Sequence, residues 1–307
     1  MPKRDFLTVT DLSRGEIEDL LDLAAELKRD LAAGNPGAPM GGKILALIFH
    51  KPSLRTRVSF EAGMNRLGGS ALYLTDAEIG MGSREAISDV GRVLSRYVDG
   101  IMIRTFDHAW LEELARHATV PVINGLTDHA HPCQILADLL TLRENGGVEG
   151  RRVVFVGDGN NVARSWMNAA RRLDFRFTLC CPEGYEPEPG FLNEVKAETG
   201  GRVRVEHDLA MAAQDADVLY TDVWASMGQE DEALARTRVF QPYQVNADVV
   251  GRAAPGCIVL HCLPAHRGEE ITHDVLEGPR SRVFDQAENR MHAQNALLVR
   301  LLGGGWS

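Results

Sequence analysis

Residues 43–57 read KILALIFHKPSLRTR, and this segment indicates the class of fold more clearly than any other. After Lys43, its next six residues form a continuous apolar run, and a strand over 43–49 that is covered on both faces is predicted. The strand leads into Ser53-Leu54-Arg55-Thr56-Arg57 and a helix predicted over about 56–67. A helix start offers N–H donors and a positive dipole end, and arginine binds phosphate oxygens through two parallel hydrogen bonds. The segment therefore predicts an anion-binding strand–loop–helix unit, although a capped helix with two surface arginines would have the same sequence.

Strand-like and helix-like segments alternate along the rest of the chain. Eight further strands are predicted, at 71–74, 100–105, 120–124, 151–156, 177–181, 202–206, 218–221 and 257–261. The other predicted helices cover 10–34, 88–97, 110–117, 132–145, 161–173, 190–199 and 289–302. This alternation favours an α/β fold with mainly parallel sheets flanked by helices, and 307 residues suit two domains. We expect the first domain to comprise 1–132 and a returning C-terminal helix at 287–307, and the second to comprise 133–286.

The composition indicates an acidic globular protein. The net charge is −10, hydrophobic residues make up 44% of the chain, and charged residues make up 25%. This balance argues against a broad nucleic-acid surface, while a local basic pocket remains compatible with it. No apolar segment approaches the length of a membrane span, and the N-terminus lacks the apolar core of a signal peptide. The odd number of cysteines, five, favours reduced thiols and a cytoplasmic protein over a disulfide framework.

Unusual polar clusters follow six of the predicted strands. Because active sites of parallel α/β sheets lie beyond the carboxyl ends of strands, we expect these clusters to carry the function. They are residues 53–57, Arg104, Asp128–Gln134, Gly157–Asn161, Asp222–Gly228 and His261–Pro264.

The glycine-rich cluster at residues 157–161 has the start of a dinucleotide-binding motif. The third glycine position, however, is Val162, and residues 177–181 contain no acid to hold a ribose. A tight turn capped by Asn160 or Asn161 explains the glycines better. Nicotinamide or flavin binding is therefore disfavoured.

A metal site and a cysteine nucleophile are two further possibilities. His129, His131 and Cys133 could join His261 or Cys262 around zinc, but their spacing matches no common zinc motif. Cys262 has no evident neighbouring base in the sequence, which disfavours covalent catalysis. We read His131 and Gln134 as a pair of polar contacts instead.

Taken in order, the clusters resemble the ornithine carbamoyltransferase family over nearly the whole chain. The resemblance rests on Ser53-Leu54-Arg55-Thr56-Arg57, His131-Pro132-Cys133-Gln134, Asp222-x-Trp224-x-Ser226-Met227-Gly228 and His261-Cys262-Leu263-Pro264, with support from Gly157-Asp158-Gly159-Asn160-Asn161 and Glu288-Asn289-Arg290. It implies two α/β domains with the active site in the cleft between them. It also implies a homotrimer or a multiple of trimers, without a metal or an organic cofactor. The implied reaction transfers the carbamoyl group of carbamoyl phosphate to L-ornithine, giving L-citrulline and phosphate, in arginine biosynthesis or catabolism.

The resemblance also implies roles for individual residues. The phosphate would be bound by Ser53, the Leu54 N–H group, Arg55, Thr56 and Arg57. The carbamoyl oxygen would be held by Arg104, His131 and Thr56, and the carbamoyl amine by Gln134 and the Leu263 carbonyl, with Cys262 and Arg290 in the same pocket.

Ornithine would be bound by a second group of residues. Asn161 and Met227 suit its carboxylate, Asp222 and Ser226 suit its α-ammonium group, and Asp222 and Cys262 are candidates for steering the attacking amine. We therefore expect Arg104, His131, Asp222 and Cys262 to be the catalytic residues. Other acceptors (putrescine, an acylated ornithine or aspartate) and a non-catalytic anion-binding regulatory subunit are the alternatives.

Overall fold

The computed structural model describes residues 3–225, 232–303 and 305. Contacts within the chain divide it into two compact units. Unit 1 comprises Met1–Leu140 and Glu288–Ser307, and unit 2 comprises Thr141–Ala287. The described helices include none with the length and apolar content needed to cross a membrane.

Unit 1 contains a four-stranded, fully parallel sheet in the order β2-β1-β3-β4. The strands are β1 (Ile44–Phe49), β2 (Ser70–Thr75), β3 (Gly100–Arg104) and β4 (Val122–Leu126). The helices are α1 (Arg14–Ala32), α2 (Leu54–Arg66), α3 (Asp76–Ile79), α4 (Ile87–Leu94), α5 (His108–His117) and α6 (Pro132–Glu144), which continues into unit 2. The core strands β1 and β3 are almost entirely buried, as expected for strands with helices on both faces.

Unit 2 contains a five-stranded, fully parallel sheet in the order β7-β6-β5-β8-β9. The strands are β5 (Arg152–Val156), β6 (Arg176–Cys180), β7 (Val203–Glu206), β8 (Val218–Thr221) and β9 (Ile258–His261). The helices are α7 (Asn161–Ala170), α8 (Pro189–Glu198), α9 (Leu209–Ala213), α10 (Ala233–Phe240), α11 (Ala247–Arg252), α12 (His273–Leu276) and α13 (Val283–Leu302), which returns to unit 1.

The strand order places a topological switch point in each sheet. In unit 1 the chain leaves β1 to form β2 on one side and later β3 on the other. In unit 2 the chain likewise leaves β5 to form β6 on one side and later β8 on the other. The switch points therefore lie between β1 and β3 and between β5 and β8. Ligands of open parallel sheets bind outside the carboxyl ends of strands at such points. The loops that follow β1, β3, β5 and β8 are therefore the places where a site is expected.

The prediction of an α/β fold with two mainly parallel sheets is confirmed. All nine predicted strands are present, and their ends differ from the predicted ones by at most two residues. Helices α3 and α9 to α12 were not predicted, because segments of four to eight residues show too few turns for a helical period to stand out.

The division between the units falls at positions other than the predicted domain boundaries. It lies at 140/141 and 287/288, whereas we expected 132/133 and 286/287. The physical reason is that the start of α6 belongs to the hydrogen-bonded core of unit 1, where Gln134 contacts Arg290 of the returning helix. A helix start that looks like a boundary in sequence is thus an internal element of the unit.

Gly159, in the loop between β5 and α7, packs directly against backbone. A Cβ atom at this position would lie 2.7 Å from the Tyr185 carbonyl oxygen and 2.5 Å from the Pro187 Cδ atom. The Gly159 N–H group also donates to that carbonyl oxygen at 2.8 Å. The glycine is therefore required by the close approach of two loops, and a dinucleotide is not needed to explain it.

We expect Gly159→Ala to lower the free energy of unfolding by about 1–3 kcal/mol, the usual cost of overpacking. The matched control is Gly190→Ala in α8, where a Cβ atom would meet nothing within 4 Å. That control should be neutral or stabilising by up to about 1 kcal/mol, because alanine favours a helix over glycine. Denaturant titration of both variants measures the difference, and equal stabilities would contradict the packing argument.

Candidate active site

Arg290 is the centre of the polar cluster in unit 1. Its guanidinium donates to the Gln134 Oε1 atom at 2.6 Å, lies 3.4 Å from the His131 Nε2 atom and contacts the Thr56 hydroxyl at 3.5 Å. Arg290 is only 3% exposed. Helix α13 thus brings an arginine from the end of the chain to the first turns of α2 and α6.

Three positively charged side chains act on the imidazole of His131. Burial lowers the pKa of His131 well below its usual value, and the charges of Arg290, Arg104 and Arg55 lower it further. His131 is therefore neutral at pH 7. The positive potential that suppresses protonation of this ring is the potential that an anionic ligand would experience, so this cluster is suited to a phosphate-bearing ligand.

The anion loop supplies the start of α2. Ser53 is the N-cap, and its hydroxyl accepts from the Thr56 N–H group at 3.2 Å. Thr56 is buried, Arg55 is half-buried and Leu54 is 75% exposed. The capped helix of the alternative reading is therefore present, and its first turn also carries Arg55, whose charge acts on His131.

Arg57 contacts neighbours other than this cluster. Its Nε atom lies 3.2 Å from the Glu61 Oε2 atom, and its guanidinium carbon lies 3.8 Å from the centre of the Tyr73 ring. Because the pair with Glu61 spans one helical turn, Arg57 extends along the surface of α2. Its role in phosphate binding stays a prediction.

Lys51 connects the loops that follow β1, β3 and β4 in unit 1, and it was not among the predicted site residues. Its side chain is 4% exposed, pairs with Asp128 and lies 4.0 Å from the centre of the Phe106 ring. The Asp128 N–H group in turn donates to the Phe106 carbonyl oxygen at 2.9 Å, and the His50 N–H group donates to the Arg104 carbonyl oxygen at 2.9 Å. A lysine between an apolar strand and a proline gave no signal in sequence, because its partners lie on other loops.

The remaining predicted residues at the start of α6 are also buried. The Gln134 amide nitrogen donates to the Asp138 carboxylate at 2.7 Å, which fixes its oxygen toward Arg290. The Cys133 thiol contacts the Asn124 carbonyl oxygen, and burial raises its pKa to about 12. Cys133 is thus a protonated packing residue, and it belongs to none of the groups of potential metal ligands among the described residues.

Asp222 is the centre of the polar cluster in unit 2. Its carboxylate accepts from the Asn160 amide at 2.9 Å, the Cys262 thiol at 2.9 Å and the Val223 N–H group at 2.8 Å. The side chain is 7% exposed. The structure therefore brings together Asp222 and Cys262, two of the predicted catalytic residues, at the carboxyl ends of β8 and β9.

Asn160 both caps α7 and holds Asp222, whereas the sequence left open whether Asn160 or Asn161 is the cap. Its oxygen caps α7 by accepting from the N–H groups of Val162 and Ala163, while its nitrogen holds Asp222. Asn161 begins α7 and is half-buried. The predicted ornithine residues Ser226 and Met227 lie outside the described residues.

Arg236 fixes the loop that carries Asp222 and was also missed. It donates to the Asp158 carboxylate at 2.7 Å and to the Trp224 carbonyl oxygen at 3.2 Å. Burial raises the pKa of Asp158, Arg236 opposes that rise, and the charge of Asp222 adds to it. One buried guanidinium thus joins the loops after β5 and β8 and offsets part of the repulsion between their carboxylates.

His261 and Glu270 hold the turn that carries Cys262 and Leu263. The His261 Nε2 atom lies 2.9 Å from the Glu270 Oε1 atom, and its Nδ1 atom accepts from the Leu263 N–H group at 2.8 Å. Leu263 has a φ of +58°, a conformation that is costly for a residue with a side chain. Both His261 and Glu270 have fully buried side chains. This pair therefore maintains a strained turn whose carbonyl oxygen was predicted to hold the substrate.

Among the described residues, three groups of side chains bring atoms that could bind a metal within 4.8 Å of one another. These groups are Asp222 with His261 and Cys262, Cys181 with Glu186 and His207, and His266 with Glu269 and Glu270. In the first group, the thiol already donates to the carboxylate, and both nitrogens of His261 have protein partners. The thiol and the imidazole of this group thus already have protein partners, whereas the Asp222 carboxylate keeps acceptor capacity.

We expect Glu270→Gln to lower the free energy of unfolding by about 1 kcal/mol, because a charged acceptor of two hydrogen bonds becomes a neutral one. The Glu270 Oε1 atom accepts from the His266 N–H group at 2.6 Å as well as from His261. Glu269→Gln is the control, since Glu269 is an exposed neighbour. Denaturant titration measures both variants, and equal stabilities would show that the charge of Glu270 does not support the turn.

Solved structures of similar proteins match the whole chain. The structure of ornithine carbamoyltransferase from Pyrococcus furiosus superposes with a TM-score of 0.94 at 52% identity and covers 98% of each chain. The structure of ornithine carbamoyltransferase from Thermus thermophilus gives a TM-score of 0.88 at 47% identity and covers 97% of this chain and 99% of that one.

Curated sequences agree with the structures. A protein of Syntrophus aciditrophicus named ornithine carbamoyltransferase is 52% identical over 301 residues, which is 98% of this chain and all of the relative. Residues 4–144 match the carbamoyl-P binding domain, and residues 149–301 match the Asp/Orn binding domain, of one enzyme family. The arginine–histidine cluster lies in the first region except for Arg290, which lies in the second with the Asp222 cluster. The chain belongs to the aspartate/ornithine carbamoyltransferase family.

Proposed function

We propose that this protein transfers the carbamoyl group of carbamoyl phosphate to the δ-amine of L-ornithine and releases L-citrulline and phosphate. The observation that carries the proposal is whole-length identity of 52% to 54% with relatives named ornithine carbamoyltransferase. The two polar clusters supply the chemistry that such a reaction requires. The cluster in unit 1 suits an anionic carbamoyl donor, and the cluster in unit 2 suits a cationic amino-acid acceptor.

The phosphate is bound by Ser53, the Leu54 N–H group, Arg55 and Thr56 at the start of α2. Carbamoyl phosphate carries a dianionic phosphate, and the buried arginines around His131 create the matching positive potential. Arg57 completes this set only if its side chain leaves Glu61 and Tyr73, which it contacts in the structure.

The carbamoyl group is held by a second set of donors and acceptors. Arg104, His131 and Thr56 donate to the carbamoyl oxygen, where negative charge develops during attack. Because His131 is neutral, its one N–H group can donate a hydrogen bond to this oxygen, and the ring carries no second proton that it would later have to release. Such preorganised donors contribute about 3–4 kcal/mol each to transition-state stabilisation. The Gln134 oxygen and the Leu263 carbonyl oxygen accept from the carbamoyl amine, with Cys262 and Arg290 in the same pocket.

Ornithine is bound through its α-amino acid end. Asp222 and Ser226 bind the α-ammonium group, and Asn161 and the Met227 N–H group bind the carboxylate. The three donors that already fix the Asp222 carboxylate give it a defined direction before the substrate arrives. Binding energy from this end orients the δ-amine, and positioning of this kind can replace a dedicated base.

The reaction proceeds by attack of the neutral δ-amine on the carbamoyl carbon. The C–N bond forms, the carbonyl oxygen becomes negatively charged, and the bond from that carbon to the phosphate oxygen then breaks. The electron pair of the broken bond passes to the phosphate, and the proton that the attacking nitrogen loses is transferred to that phosphate, which leaves as HPO₄²⁻. Asp222 and Cys262 steer the amine, and Arg55, Arg104 and Arg290 stabilise the charge that moves onto the phosphate.

We also propose a homotrimer, or a multiple of trimers, that acts in the cytoplasm. Support for assembly comes from unit 1, where Leu54 and Val58 of α2 and Leu72 of β2 expose 75%, 51% and 47% of their surface. Exposed apolar side chains are typical of interfaces when they form a patch. Support for a reducing compartment comes from the five cysteines, all of which carry free thiols.

The experiment that tests the function is citrulline formation from ornithine and carbamoyl phosphate by the purified protein, run with a light-scattering mass. Putrescine, N-acetylornithine and aspartate serve as competing acceptors. We expect ornithine to exceed each of them in kcat/KM. Preference for another acceptor would keep the carbamoyl transfer and replace ornithine, and the absence of any transfer would indicate a non-catalytic anion-binding subunit.

We expect Arg55→Ala to lower kcat/KM for carbamoyl phosphate by at least about a thousandfold, because it removes a charge-assisted phosphate contact. Arg57→Ala is the matched control from the same helix turn. Since Arg57 contacts Glu61 and Tyr73, we expect it to lose less than about tenfold. Steady-state kinetics of both variants decide the point, and wild-type kinetics for Arg55→Ala would remove the loop from the site.

We expect Asp222→Asn to raise the KM for ornithine about 10- to 150-fold, which corresponds to the 1.5–3 kcal/mol of a hydrogen bond to a charged group. The KM for carbamoyl phosphate should change by less than about threefold, since Asp222 belongs to the other cluster. Asp248→Asn, an exposed carboxylate of α11, should change neither value. Equal losses for both substrates would point to a folding defect.

A further inference from the structure

A second polar cavity lies in unit 2, away from the Asp222 cluster. It has a volume of about 420 Å³ and is lined by four arginines, Arg152, Arg176, Arg202 and Arg204. Arg152 and Arg176 begin β5 and β6, and Arg202 immediately precedes β7. The cavity is therefore at the amino ends of these strands, whereas Asp222 and Cys262 follow the carboxyl ends of β8 and β9. Its volume falls within the range of small-molecule sites.

Strand register places these arginines side by side. Arg152 is the register partner of Arg176 on β5 and β6, and Thr178 is the partner of Arg204 on β6 and β7. Neighbouring strands are about 4.8 Å apart, so the arginines extend across roughly 10 Å of one sheet face. Like charges at this spacing repel each other, and the arrangement carries a cost in the absence of a counter-charge.

The protein compensates this charge only in part. Arg152 lies 3.6 Å from Asp215, and Arg202 lies 3.5 Å from Asp174. Arg204 donates through its Nε atom to the Thr178 hydroxyl at 3.0 Å. The Arg176 side chain has no hydrogen bond or ion pair with any residue that the structure describes, while its backbone N–H group donates to the Arg151 carbonyl oxygen at 2.8 Å. Two carboxylates thus face four guanidinium groups, in a chain whose overall charge is −10.

The floor of the cavity is built from buried side chains. Val154, Thr178 and Ala212 are 2%, 6% and 2% exposed, and Ala212 lies on α9, which has only five residues. Because the helix is short, Arg152 and Arg176 at the starts of β5 and β6 are exposed to solvent. Val154 and Thr178, two residues further along the same face, are buried. The result is a defined concave wall with arginines at its rim, in contrast to charges spread over a flat surface.

We propose that this cavity binds a small anion carrying two or more phosphate groups. Guanidinium groups form two parallel hydrogen bonds to phosphate oxygens, and the unpaired Arg176 and the terminal nitrogens of Arg204 supply such donors. Because the arginines span about 10 Å, a ligand with several linked phosphates satisfies more of them than a single phosphate does. This site is independent of carbamoyl transfer and would hold its ligand whether or not the proposed function is correct.

The test is calorimetric titration of inorganic tripolyphosphate into the full-length protein at low ionic strength, where screening is weakest. The double variant Arg176→Gln/Arg204→Gln removes the two least compensated charges. Arg238→Gln removes an exposed arginine of α10, outside the cavity. Arg55→Ala reports any tripolyphosphate bound at the anion loop of unit 1. Citrate and orthophosphate are titrated in parallel as a polycarboxylate and a single phosphate.

We expect the double variant to bind tripolyphosphate at least tenfold more weakly than the wild type, while Arg238→Gln and Arg55→Ala retain this binding. Orthophosphate should bind at least tenfold more weakly than tripolyphosphate. Carbamoyl transfer and the ligand-free melting temperature should not fall in the double variant, because the substitutions relieve repulsion at an exposed position. Unchanged affinity in the double variant, loss confined to Arg55→Ala, tighter binding of citrate, or no binding to the wild type would each overturn the proposal.

Discussion

The contact on which unit 1 depends is that of the Arg290 guanidinium with Thr56, His131 and Gln134. A guanidinium keeps its proton at all relevant pH values, so its charge cannot be removed by burial. The protein therefore surrounds it with neutral acceptors and holds His131 in its neutral form. The consequence is a buried region with excess positive charge and fixed geometry, which a dianionic ligand would neutralise.

The same logic appears in unit 2 with the opposite sign. Asp222 is almost buried and accepts from Asn160, Cys262 and the Val223 N–H group, all of which are neutral donors. Its charge is therefore solvated by the protein but not cancelled. A carboxylate prepared in this way favours an ammonium group, just as the arginine cluster favours a phosphate. The two clusters are thus centred on charges of opposite sign, a guanidinium in unit 1 and a carboxylate in unit 2.

Both clusters rely on residues that do not belong to the recognised motifs. Lys51 joins the loops after β1, β3 and β4 in unit 1 through Asp128 and Phe106. Arg236 joins the loops after β5 and β8 in unit 2, and Glu270 holds the left-handed turn at Leu263 through His261. These contacts restrict loops that would otherwise sample many conformations, and restricted loops lower the cost of orienting substrates.

The amino-acid sequence alone was sufficient for the α/β class, the positions of all nine strands and the polar clusters at their ends, because hydrophobic period and chain order are local properties. It also indicated an anion at Ser53–Arg57. Strand order depended on long-range packing, which makes β1 and β3 neighbours in unit 1 and β5 and β8 neighbours in unit 2. Only the tertiary structure revealed the partners of Lys51, Arg236 and Glu270. The same is true of the row of arginines across β5 to β7. In each case the residues that meet are separated in the chain, and folding brings them together.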